Sequence, residues 1–277
     1  MKIGITGHTG RLGGELWKRG CEPLMCDIRL PESVYQAVSN VKPDVIIHCA
    51  ALTNVDYCET NQKEAKTINV DGTRNLRMGY NGKIIHISTD YIFDGKRGPY
   101  SEHATPNPIS VYGQTKYNAE KIISRGRADG MFPDDVIIRT TILYGNTEKN
   151  DFVSTVLKGL TFHKDLPIKV TKAVSGSPTY VPHLADALIN IAERDTRFSP
   201  VINVAGREVL TRYEFALMIA HVFNCDKSMV QYTMKVPGAA TRPMKAGLKT
   251  AYAEGMDIPI YSVHEGLEDL YCALEYV

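Results

Sequence analysis

Tyr112 and Lys116 stand four residues apart in the run Tyr112-Gly113-Gln114-Thr115-Lys116. On a helix that spacing puts both side chains on one face, where an ammonium can stabilise a phenolate. A phenol pKa that starts near ~10 would be lowered by that charge. A phenol tuned in this way can give or take a proton at a carbonyl carbon that exchanges hydride with a nicotinamide. The spacing also arises by chance, as a half-buried tyrosine beside a solvated lysine. Its weight therefore rests on what accompanies it.

A second signal lies at the start of the chain. The apolar run from Ile3 to Thr6 reads as a strand, Gly7-x-x-Gly10-x-x-Gly13 follows, and Leu12, Leu16 and Trp17 recur at helical spacing. Strand, glycine loop and helix in that order form the dinucleotide-binding context. Gly7 permits the tight turn, Gly10 lets the backbone approach a pyrophosphate, and Gly13 lets the helix pack on the strand. The helix N-terminus would point its free N–H groups at the anion. Asp27 follows Gly7 at the distance where an acidic residue would meet the adenosine ribose.

The elements that must hold these groups follow from the apolar pattern. Strands are expected at about 2–6, 22–27, 44–49, 83–88 and 135–140, with helices at 11–19, 31–41, 61–79 and 109–127. This alternation predicts an α/β fold, a doubly wound parallel sheet covered on both faces. Ligands bind such sheets beyond the carboxyl ends of the strands, so 50–59, 88–94 and 140–145 should line one cleft. After 145 the alternation fades. Helices over 151–163, 182–193 and 213–223 and strands near 167–171 and 201–204 predict a smaller α/β substrate domain. The expected division is a dinucleotide-binding domain over 1–145 and a mainly substrate-binding domain over 146–277, with 178–205 returning to the first. Pro99, Pro106 and Pro108 mark a long irregular loop before the Tyr112 helix, of a length more often functional than idle.

Bulk composition narrows the classes. The chain has 277 residues, 43% hydrophobic and 23% charged, ordinary for a globular protein. A formal charge of +1 gives no global field for nucleic acid or anionic membranes, so neither is expected as a partner. No apolar stretch approaches the ~18 residues that span a bilayer. Met1 leads straight into the first strand, so a cytoplasmic protein without a leader is expected. The six cysteines lack metal-ligand spacing, and neither a disulfide nor a metal site is expected. His48 and His86 fall in strands and read as satisfied core or sheet-end residues rather than catalysts.

Four fragments together carry a family resemblance: the Gly7 motif, His48-Cys-Ala-Ala-Leu-Thr-Asn-Val-Asp-Tyr-Cys-Glu, Ser88-Thr-Asp-Tyr-Ile-Phe-Asp-Gly and Val111-Tyr-Gly-Gln-Thr-Lys. The chain resembles the extended short-chain dehydrogenase/reductases and, within them, the dTDP-4-dehydrorhamnose reductase family. Arg139-Thr-Thr-Ile-Leu-Tyr-Gly, Gly176-Ser-Pro-Thr-Tyr-Val and Thr241-Arg-Pro continue the match along essentially the whole chain. The resemblance implies a Rossmann-type domain and reduction of the C4 ketone of a nucleotide-linked 4-keto-6-deoxy sugar. By position, Tyr112 would protonate the C4 oxygen as hydride arrives. Lys116 would hold the nicotinamide ribose and depress the Tyr112 pKa, and Thr89 would donate to the same oxygen as a small oxyanion hole. Along the cofactor the resemblance sets Gly7, Thr9, Gly10, Arg11 and Leu12, then Ala50, Ala51 and Thr53, then Ser88. Asn69 would support the loop or the proton relay. Val55, Asp56, Asp90 and Tyr91 would approach the sugar, and Arg242 would answer the pyrophosphate.

Three departures touch specificity. Ile142 stands where the family commonly has a tryptophan able to pack on the sugar, so it offers contact without a stacking face. Met244-Lys245-Ala246 replaces the family's x-Asn-Ser after Arg-Pro, and the connection before the Pro31 helix is trimmed by about one βα unit. That trimming leaves two registers at Asp27-Ile28. Asp27 meets the ribose 2′-hydroxyl and favours NADH, or the pair lies against the adenine and Arg11 and Arg29 decide for a 2′-phosphate. Use of both cofactors with a modest NADPH preference is expected. Rival functions are an epimerase or dehydratase on the same scaffold, and a non-catalytic regulatory subunit like the methionine adenosyltransferase β subunit, which resembles this group. A homodimer is compatible with the sequence.

Overall fold

Ile3–Thr6, Val45–His48, Lys83–Thr89 and Val136–Thr140 are rich in Ile and Val, whose branched side chains pack well on a pleated surface, and all four are strands. The computed structural model describes residues 1–145, 150–162, 166–194 and 198–275. With Glu22–Pro23 and Val201–Asn203, the four strands build one six-stranded sheet. Its order is Val201–Asn203, Val136–Thr140, Lys83–Thr89, Val45–His48, Ile3–Thr6, Glu22–Pro23, and every pairing is parallel. The chain winds outward from Ile3–Thr6 in one direction and from Val45–His48 in the other. A crevice therefore opens at the carboxyl ends of these two strands.

Alternate residues serve opposite faces. Ile5, Val45, Ile47, Ile85 and Ile138 pack with Leu16 of helix Arg11–Lys18 and Leu184 and Leu188 of helix Val181–Glu193. Ile46, Ile84 and Ile137 pack with Val34, Leu76 and Ile123 of helices Pro31–Val41, Gly72–Gly79 and Val111–Ala128. The fold is the doubly wound, Rossmann-type α/β arrangement that the sequence pattern predicts. Residues 178–205 contribute the Val181–Glu193 helix to one face and the Val201–Asn203 strand to the edge. A further core gathers Tyr144, Val156, Tyr180, Phe215, Ile219 and Leu267 from helices Phe152–Phe162, Arg212–Val222 and Val263–Glu275 and neighbouring short strands.

Several elements differ from expectation for identifiable reasons. The strand expected over 22–27 stops at Pro23. Leu24 N still donates to Ile5 O at 2.8 Å, but Cys26 N turns back onto Leu24 O and Asp27 N is taken by Ser33 Oγ at 3.0 Å. The expected 61–79 helix is one run with a π segment at Thr67–Asp71, a widening often found at functional sites. Residues expected as cleft loop hold a short helix, Val55–Thr60, capped by Asn54. The proline-marked loop lines neither cavity described below. It clamps the C-terminal segment instead, through Gly98 N to Lys245 O, Tyr100 N to Gly247 O and Lys249 N to Tyr100 O. The expected domain start at 146 and helix end at 163 lie outside the described residues; within the described residues the helix runs Phe152–Phe162. Among the described residues no helix is long and apolar enough to cross a membrane.

Candidate active site

The glycine loop closes tightly over the crevice. Gly7 has φ +69°, where a side chain would be strained, and a Cβ there would stand 2.8 Å from Ala50 Cα. A Cβ on Gly13 would collide with the Gly7 carbonyl, so the helix can sit this close to the strand only as glycine. Beyond the loop lies a cavity of about 330 Å³. Its lining includes Gly7, Gly10, Arg11, Leu12, Ala51, Thr53 and Ser88, together with Val55, Thr89, Asp90, Tyr91, Tyr112, Lys116 and Ile142.

Helix Val111–Ala128 delivers Tyr112 and Lys116. Ser110 caps it by accepting from Gly113 N at 3.2 Å, and Glu59 accepts from Val111 N at 2.8 Å. One turn beyond Lys116, Arg139 donates to both Glu120 carboxylate oxygens at 3.0 and 2.8 Å, pinning the helix to strand Val136–Thr140. Thr89 ends its strand beside the helix, donating to Asp90 Oδ1 and accepting from Tyr91 N at 3.2 Å. Tyr91 sets its ring edge-on to Tyr112 at 5.6 Å.

The lowering expected for the Tyr112 phenol does not prevail. Burial pushes that pKa well above its ordinary value, against the pull of the Thr89 hydroxyl. The ammonium is engaged elsewhere, with Lys116 Nζ 3.3 Å from His86 Nε2. With Lys116 charged, Nε2 must accept, so the ring proton sits on His86 Nδ1, which has no partner among the described residues. Burial brings Lys116 down to about 8, opposed by Glu120. Burial and then the Lys116 charge hold His48 at about 3, and His86 also lies well below its usual value. Both rings are neutral props. They share one register row with Thr6 across three strands, and His48 bonds Thr6 Oγ1 at 2.7 Å and Thr73 Oγ1 at 3.1 Å. Asp90 is pushed up to about 6 by burial, against the Thr141 and Thr89 hydroxyls.

Other expected residues, Arg11 excepted, lie apart from the cavity. Asn69, in the π segment, braces Leu52 by accepting from its N–H at 2.7 Å and donating to its carbonyl at 3.1 Å. It also donates to Thr115 Oγ1 at 2.9 Å. Ala50 packs behind Gly7, and Thr9 is exposed on the loop. Asp27 and Arg29 close on each other at 2.6 Å, and Ile28 is buried beneath them against Gly72. Arg11 turns the other way, toward the carbonyls of Leu143 at 3.4 Å and Asn150 at 3.2 Å. The two arginines expected to share a 2′-phosphate therefore do not converge. Asp56 is clamped by Arg242 at 2.6 Å and by Ala240 N at 2.9 Å, and neither residue lines the main cavity. Sequence reasoning missed Arg212, which does line it. The capping box Thr211-x-x-Glu214 places Arg212 at the first helical position, and that signal was readable in the sequence.

The cavity suits a dinucleotide. Ser88 and Thr140 line it, and their buried hydroxyl oxygens lack a hydrogen-bond partner among the described residues, a state a bound polar group relieves. Gly7 and Gly10 offer backbone approach, and Lys116 supplies a cation at its floor.

Comparison with known proteins agrees. The profile described as RmlD substrate binding domain matches residues 1–275. The chain is 30% identical over 284 residues to methionine adenosyltransferase 2 subunit beta of Danio rerio, covering 94% of this chain and 86% of that one. It is 33% identical over 233 residues to the dTDP-4-dehydrorhamnose reductase of Aggregatibacter actinomycetemcomitans, covering 78% and 76%. The structure of dTDP-4-dehydrorhamnose reductase from Bacillus anthracis in complex with NADP superposes with a TM-score of 0.87 at 31% identity, covering 99% of this chain and 100% of that one. A tyrosine, a lysine and a threonine converging on a glycine-loop crevice, over a match that spans nearly every residue, place this chain in the dTDP-4-dehydrorhamnose reductase family of the extended short-chain dehydrogenase/reductases.

Proposed function

We propose that the protein is an NAD(P)H-dependent reductase of the C4 ketone of a nucleotide-linked 4-keto-6-deoxy sugar. The observation that carries this reading is the convergence of Thr89, Tyr112 and Lys116 with Gly7 and Gly10 on one cavity. Residues 1–145 with 178–205 would hold the cofactor, and the rest of 146–277 mainly the substrate. The reduced nicotinamide, when bound, supplies the hydride. Burial leaves Tyr112 protonated, so its phenol is the group that can deliver a proton to the ketone oxygen as the oxygen gains negative charge. Thr89 presents a hydroxyl to the same oxygen, and Lys116 holds the cofactor ribose with its ammonium steadied by His86. Tyr91 follows Thr89-Asp90, where a dehydratase would carry a second acid, and this favours simple reduction.

The test is incubation of the protein with NADPH and a panel of nucleotide-linked 4-keto-6-deoxy sugars, reading nicotinamide absorbance and product identity. A regulatory role is the second reading, favoured by the 30% identity to a methionine adenosyltransferase β subunit over 94% of the chain. It expects no oxidation of NADPH with any sugar and a change in the activity of an added methionine adenosyltransferase catalytic subunit.

A further inference from the structure

Arg212 stands in the wall between two cavities. Together with Tyr91 it lines the 330 Å³ cavity above Tyr112, and the same two residues line a second cavity of about 640 Å³. Its guanidinium packs over the Phe152 ring at 4.8 Å and, among the described residues, enters no side-chain hydrogen bond or ion pair. Burial pulls its pKa down, opposed by Tyr91 and the Asp90 carboxyl and reinforced by the Arg242 charge. Arg212 is also the first residue of the 11-residue helix Arg212–Val222. That end carries the positive pole of the helix dipole, where a cation is disfavoured and an anion is welcome. A half-buried cation and a helix N-terminus at one point share a single remedy, an anion bound between the cavities.

The surroundings define the rest of that ligand. The second cavity has apolar walls from Phe152, Val156, Ile168 and Val174, with Lys169 and Lys235 also lining it. It suits a flat, partly apolar group joined to something negative. Arg242, for which the family resemblance implies a pyrophosphate role, is committed to Asp56 at 2.6 Å and to the Ala240 carbonyl at 3.0 Å. Its work is to hold the 238–242 segment.

We propose that Arg212 is the anion anchor of the substrate site, gripping the diphosphate of a nucleoside diphosphate-linked ligand whose nucleoside lies in the second cavity. What occupies the first cavity rests on the reductase reading above; the anchor itself does not need turnover to be tested.

The experiment is calorimetric titration of the full chain, saturated with NADPH so that the cofactor site is filled. The probes are dTDP, UDP, GDP and inorganic pyrophosphate, and the proteins are the wild type, Arg212→Gln and Arg212→Lys. Wild type is expected to bind at least one nucleoside diphosphate more tightly than pyrophosphate. Arg212→Gln should weaken that binding by about 10- to 150-fold, the loss of a charge-assisted hydrogen bond. Arg212→Lys, which keeps the charge without the two-pronged geometry, should fall between. The thermal unfolding midpoints of the variants should match that of the wild type, which separates this loss from misfolding. Should Arg212→Gln fail to fold, Arg212→Lys decides by the same criterion. Equal nucleotide affinity in wild type and variants, or no nucleoside diphosphate binding by wild type, overturns the proposal. Binding lost at Arg212→Gln in a protein that reduces no sugar would leave the anchor standing and overturn only the reductase reading.

Discussion

Lys116 carries its charge at the floor of the cleft, and burial has brought its pKa to about 8. Its neighbours do not titrate in that range, since Cys49 is pushed up to about 12 while His48 lies at about 3 and His86 well below its usual value. The ammonium is therefore present below about 8 and lost above it. If it holds the cofactor ribose, kcat/KM should fall as pH rises through that value. A profile flat from neutrality to well beyond it would remove Lys116 charge from the reaction. A second residue-scale prediction concerns the cofactor's 2′ position. Arg11 faces Leu143 and Asn150, which leaves Arg29 alone beside Asp27. Arg29→Ala should weaken NADPH by about fivefold, because an exposed ion pair is worth at most about 1 kcal/mol. NADH should hardly change, since Asp27 is then free to accept from a ribose hydroxyl. Equal losses in a binding titration would show that Arg29 does not read the phosphate.

Helix Val111–Ala128 is the element on which the chemistry depends, and its seat is electrostatic as well as apolar. Both partners of the Arg139–Glu120 pair are buried, with side chains 5% and 4% exposed. Glu120→Ala would strand the guanidinium in the core, and such a loss costs about 3–5 kcal/mol. Urea denaturation should show that drop, with Glu120→Gln retaining part of the stability through its remaining acceptor. A loss below about 1 kcal/mol would mean that the pair does not anchor the helix. This helix was legible in the sequence because its period and its Tyr–Lys face agree, while its start at Val111 is set by the Ser110 cap. The Glu22–Pro23 strand was overextended because the apolar residues after Pro23 look like strand while their N–H groups turn to local acceptors. Arg212 escapes the sequence reading because the expected helix starts at 213, one residue beyond the position that the Thr211 cap makes its first. The Asp56–Arg242 clamp joins residues 186 apart, and no local period announces such a contact. The burial that raises Tyr112 is likewise a property of the closed cleft rather than of any four-residue spacing.

At the scale of the molecule, the cleft lies where the sheet's carboxyl ends meet the C-terminal core, and Ile142 sits at that junction. Its φ of +47° is unusual for a β-branched residue, and it lines the cavity while packing on the C-terminal cluster. Ile142→Trp should change KM for rhamnose-type ketones more than kcat, a contact of this kind being worth about 1–3 kcal/mol. Unchanged KM for every sugar would place the side chain outside the substrate's reach. The central claim is that Tyr112 donates the proton in a ketone reduction at this cleft. Its most direct measurement is single-turnover oxidation of bound NADPH by a nucleotide-linked 4-keto-6-deoxy sugar, in wild type and Tyr112→Phe. The expected result is a rate about 10²–10⁴-fold lower in the variant at unchanged NADPH affinity, the usual span for a general acid. Tyr112→Phe turning over at the wild-type rate would contradict the account.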